Sequence, residues 1–306
     1  MMDPAYIESV RLLLEVTPAV FRDSRFAMKG GTAINLFVQD VPRLSVDIDV
    51  VFVDHRASRE EALRQTGAAL EQVRKELSGQ GLQVDAPVRM LGDESKLFVR
   101  RGRRQVKVEV NHVFRGTMLP VQTRSLTAES RRLFTAEVQA PVLAMAELYG
   151  GKLVAALDRQ HPRDLFDIHC LFETGGLTAE MVECFVGYLA GHNRPIHEVL
   201  FSRDQDLATA FENEFQGMAR NPVSLAALVE TRRRLRRELQ ATLTPNHRAF
   251  LLGLVEGEPR WELMQCGHLA DLPAIRWKRQ NLAKLKRSSP GKHAQQAAEL
   301  RARFGA

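Results

Sequence analysis

Residues 45–54 read Ser45-Val46-Asp47-Ile48-Asp49-Val50-Val51-Phe52-Val53-Asp54, the strongest strand signal in the chain. Side chains alternate between the faces of a strand, so Val46, Ile48 and Val50 share one side and Ser45, Asp47 and Asp49 the other. Two carboxylates on one face repel each other and need water or a compensating cation. Alone, this pattern also suits an edge strand with a wet face. A second strand sharpens the reading: in Val106-Lys107-Val108-Glu109-Val110-Asn111 the valines form one face and Lys107, Glu109 and Asn111 the other. Paired near Asp47, it makes Glu109 a third carboxylate on the same side. Three carboxylates form the hard oxygen site that Mg²⁺ takes when it also binds substrate phosphates. Two such ions clamp the attacking and leaving oxygens of a phosphoryl displacement. An ion pair with a nearby cation is the competing role for Glu109.

Upstream, Phe26-Ala27-Met28-Lys29 reads as a short strand, Gly30-Gly31 as a turn and TAINLFVQ as the helix that follows. Backbone N–H groups at such a turn can cradle phosphate oxygens, although a plain tight turn uses the same residues. The segment 5–20 has helical spacing that ends or breaks near Pro18, and 58–78 is a helix with Ala62, Leu70, Val73 and Leu77 on its buried face. Strands are expected over 82–88, 97–100 and 106–114, with Arg101-Gly102-Arg103-Arg104 as a hairpin tip. After Pro141 the period becomes helical throughout: 142–158, 163–173, 178–191, 204–219, 223–241, 246–256, 274–286 and 292–303. The expected fold class is α+β, with a mixed sheet flanked by helices over residues 1–135 and an all-α domain over 136–306.

In that helical part, GGKLVAALDRQHPRDLFDIH (150–169) places Lys152, Arg159, Arg163, Asp164 and Asp167 on two helices broken at His161-Pro162. The lysine does not complete a Walker loop, because Leu153 follows it. The charges are readable as helix caps and surface pairs. The functional alternative has Lys152 reach a triphosphate as a point charge, with Asp167 holding or orienting it.

With 306 residues, 44% hydrophobic and 26% charged, the chain is neither disordered nor low-complexity, and two domains are the prior. No apolar run is long enough for a membrane helix, and the charged N-terminal residues argue against a secretory signal. Cys170, Cys184 and Cys266 are too few and too scattered for a disulfide framework or a zinc site. The expected location is the cytoplasm. The net charge of +6 is concentrated: from Arg276 onward nine basic residues face one acid, Glu299. Smaller basic runs lie at Arg100–Arg104 and Arg232–Arg237. Clustered cations are the electrostatic footprint of nucleic-acid binding, and a solvated helix face is the plainer explanation of any single run. Candidate RNA contacts are Arg101, Arg103, Arg104, Arg276 and Lys278.

Taken together, Lys29-Gly30-Gly31-Thr32-Ala33, Arg43-x-Ser45-x-Asp47-Ile48-Asp49, Lys107-Val108-Glu109-Val110 and Gly151-Lys152-x6-Arg159-x3-Arg163-Asp164-x2-Asp167 resemble the AbiEii-type nucleotidyltransferase toxins, MenT toxins included. That group lies within the DNA polymerase β-like nucleotidyltransferase superfamily. The resemblance implies transfer of a nucleotide from an NTP to an acceptor hydroxyl with release of pyrophosphate. It implies Mg²⁺ on Asp47 and Asp49, with Glu109 completing the site or taking the attacking proton. Triphosphate contacts would come from Gly30, Gly31, Ser45 or Thr32, and Arg163. Lys152 and Asp167 map onto the lysine and aspartate needed for toxicity. The implied acceptor is the 3′ end of tRNA, blocking translation, and the implied partner is an AbiEi-like or other antitoxin encoded nearby, in a phage-defence setting. Many superfamily members carry Gly-Ser at the first motif, where this chain has Gly30-Gly31. Two alternatives accompany this reading: a protein or aminoglycoside-like acceptor, and a catalytically silent RNA-binding or regulatory protein.

Overall fold

The computed structural model describes residues 2–85 and 94–305. The chain divides into two units, Met1–Leu148 with Phe215–Val223, and Tyr149–Glu214 with Ser224–Ala306.

The first unit is built on a seven-stranded mixed sheet of β1 (Phe26–Lys29), β2 (Asp47–Phe52), β3 (Gln83–Asp85), β4 (Glu94–Arg101), β5 (Arg104–Asn111), β6 (Gln122–Ser125) and β7 (Gln139–Val142). Their spatial order is β3-β4-β5-β2-β1-β7-β6. The carboxylate strand β2 is therefore central, antiparallel to β1 and parallel to β5. A central strand must bury its apolar side, and Ile48, Val50, Val108 and Val110 are all fully buried. Helices Pro4–Val20 and Arg59–Gly79 pack on this sheet with Leu13, Val16, Leu70, Val73 and Leu77 turned inward.

Most elements of this unit fall where the periodicity places them. The first helix runs through Pro18 to Val20. The hairpin of β4 and β5 turns at Gly102-Arg103, with Gly102 at φ +60 and Arg101 paired with Arg104. Strand β5 stops at Asn111, earlier than expected, because Asn111 Oδ1 accepts the N–H groups of Val113 and Phe114. Of the strand expected over 82–88, residues 83–85 form β3, and 86–88 lie outside the described residues. Two strands went unforeseen. β6 is a run of polar side chains, and β7 contains Pro141, which lacks a ladder donor. Because β7 pairs with β1 at Met28 and Val142, the sheet unit extends past the expected division at residue 135.

It also takes back a later segment. The helix expected over 204–219 is confined to Ala208–Glu214, and Phe215–Val223 belongs to the first unit. There the Gly217 carbonyl accepts from the Asp3 N–H at 2.9 Å and the Met218 carbonyl from the Leu44 N–H at 2.9 Å. The Arg220 N–H donates to the Pro42 carbonyl at 2.8 Å. The second unit is otherwise helical, including Pro162–Glu173, Ala179–Ala190, Leu225–Thr242, Pro245–Glu256, Pro273–Ser288 and Pro290–Phe304. Gly150 permits a close crossing here, since a Cβ would lie 2.6 Å from the Cys184 side chain and 2.8 Å from the Phe185 backbone. Among the described residues no helix is long and apolar enough to cross a membrane.

Candidate active site

Register alone assembles the polar face of the sheet. Lys29 on β1, Asp49 on β2, Glu109 on β5 and Lys96 on β4 are successive partners, so one row across four strands reads cation, anion, anion, cation. One pleat away, Asp47 is the partner of Lys107. Glu109 therefore does reach the side of the sheet expected from its alternation. Its carboxylate, however, is engaged by Lys107 at 2.7 Å and Lys96 at 3.5 Å. Burial acts to raise the Glu109 pKa, but the two lysines outweigh it and hold the group below its usual range. Among the described residues no group of three His, Cys, Asp or Glu side chains converges to hold a metal. Glu109 thus takes up the ion-pair role that competed with a metal one, while Asp47, Asp49 and Glu109 share one face of the sheet. An ion-paired Glu109 with a lowered pKa is also a poor base for an acceptor hydroxyl.

Asp49 has the opposite electrostatics. Burial pushes its carboxyl up from the ordinary range, Lys29 opposes the shift, and Asp47 and Glu109 add to it. Such a carboxylate gains from an added cation. It also rests against the glycine turn: a Cβ on Gly30 would sit 2.2 Å from Asp49 Oδ2, and Gly30 adopts φ +75. Both facts require glycine at this position. The turn enters a short helix, Gly30–Thr32, that continues as a π-helical turn over Ala33–Val38. Asn35 closes that turn by donating to the Gly31 carbonyl at 2.9 Å.

The two candidate hydroxyls have different surroundings. Thr32 is fully buried; its Oγ1 donates to the Asp47 carbonyl at 2.5 Å and lies 3.0 Å from Ser45 Oγ. Its hydroxyl ties the glycine turn to the carboxylate strand. A Cβ on Gly31 would lie 3.0 Å from Ser45 Oγ and 2.7 Å from Arg43 Nη2. Arg43, a buried guanidinium bonded to the Leu44 carbonyl at 2.9 Å, was not among the expected site residues. Its signal in the sequence was a charge two residues before Ser45, at the mouth of an apolar strand.

In the helical unit, Lys152 Nζ lies 2.9 Å from both Asp164 Oδ1 and Asp167 Oδ2. Arg159 reaches over the same Asp164 at 2.5 and 2.9 Å. Both carboxylates are 1% exposed and Lys152 7%, so this is a buried, charge-balanced cluster. Burial opposes ionisation of Asp164, yet Lys152 and Arg159 hold its pKa far below the carboxylate range. Sequence reasoning chose Lys152 and Asp167 and left Asp164 as a helix cap. The geometry instead makes Asp164 the residue shared by both cations. Arg163 is half-exposed, 3.8 Å from Glu214.

A model of the AbiEii nucleotidyl transferase toxins of type IV toxin–antitoxin systems matches residues 11–281. The chain belongs to that family. It is accordingly a nucleotidyltransferase toxin that acts on an NTP, with a cognate antitoxin as partner, which sets aside the catalytically silent alternative. Its fold is similar to that of MenT4, a nucleotidyltransferase toxin from Mycobacterium tuberculosis H37Rv, with TM-score 0.57 and 21% identity over 92% of each chain. No curated protein sequence matches it.

The expected RNA-contact residues of this family member divide into three kinds. Arg103 and Arg276 are exposed, Arg276 sharing a surface pair with Asp271 at 2.8 Å. Arg101 is bidentate on Glu15, and Arg104 lies 2.8 Å from Glu8, so both dock the hairpin on the first helix. Lys278 is a correction: it is buried, and its ammonium donates to the carbonyls of His192 and Arg194 at 2.9 and 2.7 Å. Arg232 is likewise buried, bonded to Gln160 and the Gln205 carbonyl.

Proposed function

We propose that this toxin transfers a nucleoside monophosphate from an NTP to the 3′-hydroxyl of tRNA, in a Mg²⁺-dependent reaction that blocks translation in the cytoplasm. The observation that carries the reading is the half-buried Asp49 carboxylate, flanked by Asp47 and Glu109 and lying against the Gly30 turn. Two strand carboxylates on one face are a donor set suited to Mg²⁺, which completes its octahedron with substrate phosphates and water. When bound, the ion would supply charge neutralisation at the reacting phosphate.

The chain's own residues then divide the work. The acceptor hydroxyl gives up its proton to solvent water and its oxygen bonds to the α-phosphorus as the bond to the bridging oxygen breaks and pyrophosphate leaves. Gly30 and Gly31 offer backbone N–H groups at a helix start to the triphosphate. Ser45 is the hydroxyl assigned to the phosphates, with Thr32 in a positioning role, and Arg43 supports that cradle. Lys152 and Asp167 enter as a charged pair fixed before substrate arrives, so their electrostatics need no reorganisation during the reaction. Arg163 is proposed for the nucleotide. An AbiEi-like antitoxin and a role in phage defence complete the proposal.

The test is incubation of the protein with each α-labelled NTP, Mg²⁺, total tRNA and cell extract. Label should appear on tRNA and should vanish with Asp47→Ala while the thermal unfolding transition is retained. Full transfer by Asp47→Ala would overturn the site, and label confined to a protein or a small molecule would overturn the acceptor.

A further inference from the structure

A cavity of about 510 Å³ lies wholly within the helical unit, bounded by Pro245–Glu256, Pro273–Ser288 and Pro290–Phe304. Its volume is in the range that holds a nucleotide-sized ligand. The floor is apolar, from Leu254, Leu282 and Ala283, and the cations are Arg276, Arg279 and Lys286. None of the described residues lining it is acidic. An apolar floor under three cations suits a group that is flat at one end and anionic at the other. Arg279 is already held in place over the Trp261 ring, its guanidinium carbon 5.4 Å from the ring centroid.

We propose that this cavity takes one nucleotide of a single-stranded RNA, its base on the apolar floor and its phosphodiester between Arg279 and Lys286. A strand is favoured over a free mononucleotide because the cations do not stop at the cavity. Exposed Lys284, Arg287 and Lys292 continue along the same two helices, where a mononucleotide has no phosphate to offer them. The inference deepens the RNA-acceptor reading and rests on it.

The experiment is fluorescence anisotropy of a 5′-labelled single-stranded RNA oligonucleotide with the full-length protein, across a series of salt concentrations. Arg279→Ala/Lys286→Ala should weaken binding roughly 10-fold and lower the slope of log K against log salt by about 0.7, the contribution of the one phosphate held between them on a single strand. Ala283→Trp, which fills the cavity without changing charge, should weaken binding and leave that slope unchanged. Arg56→Ala/Lys75→Ala, a pair of exposed cations in the sheet unit, serves as the equal-charge control. If the cavity variants bind RNA like that control, the cavity assignment is wrong. Displacement of the RNA by AMP as effectively as by unlabelled oligonucleotide would also overturn the strand. The two readings fail separately. Wild-type protein that binds no RNA counts against the RNA acceptor, whereas wild-type binding unaltered in the cavity variants counts against the cavity alone.

Discussion

Asp164→Asn is the sharpest test of how the helical unit holds its charges. The wild-type cluster balances Lys152 and Arg159 against Asp164 and Asp167, and Asp164 contacts both cations. Removing its charge leaves two cations on one carboxylate. Breaking a buried ion pair by deleting one partner costs about 3–5 kcal/mol. Arg159, whose side chain is 64% exposed, can turn to water, so the lower end, about 3 kcal/mol, is expected. Both tryptophans, Trp261 and Trp277, lie in the helical unit, so their fluorescence during urea unfolding reports on it selectively. With a slope of about 2 kcal/mol per molar urea, the midpoint should fall by about 1.5 M. The sign with pH follows from the depressed Asp164 pKa. Its contribution is complete above the unfolded value near 4 and is lost as pH falls through the lower folded value. The gap between wild type and variant should therefore be constant from pH 5 to 7 and narrow only in stronger acid. Lys152→Met/Asp167→Leu, which leaves Asp164 on Arg159, should be destabilised less than Asp164→Asn. A loss below about 1 kcal/mol in Asp164→Asn, or the reverse ranking, refutes the argument.

Two further outcomes follow from the geometry. Gly30→Ala should cost about 1–2 kcal/mol from the left-handed backbone alone and should abolish transfer by displacing the Asp49 carboxylate, as read by labelled-NTP assay; wild-type turnover would contradict the assigned contact. Lys278, pushed down to about 8 by burial, should make the protein more stable as pH rises from 8 towards 10.5, where the unfolded chain binds the extra proton. Lys278→Met should lose that part of the slope, and superimposable pH profiles for the two proteins would show that the ammonium stays charged in its carbonyl cage.

Period-two alternation made the chemical face of the sheet legible, because Asp47, Asp49 and Glu109 alternate with fully buried valines and isoleucine. It could not show that Lys96 and Lys107 would claim Glu109, since cross-strand neighbours depend on register and not on local pattern. The basic runs were visible as composition, yet composition does not separate Arg276, in water, from Lys278, two residues along the same helix and buried. Arg43 was hidden for a related reason: nothing in the residues next to it reports that its guanidinium is buried beside Gly31. Strands β6 and β7 carry too few alternating apolar residues to announce themselves.

The return of Phe215–Val223 to the sheet unit has a consequence for biosynthesis. Its backbone bonds pin Pro42 and Leu44, immediately ahead of Ser45 and Asp47. When Leu148 has left the ribosome, roughly 75 further residues must still be made before that pin exists, which at about 5–20 residues per second is about 4–15 s. Until then the lead-in to the carboxylate strand has no partner on that side. A nascent chain stalled before residue 215, or a fragment ending at 148, carries every carboxylate of the sheet but lacks the last piece that fixes where they stand.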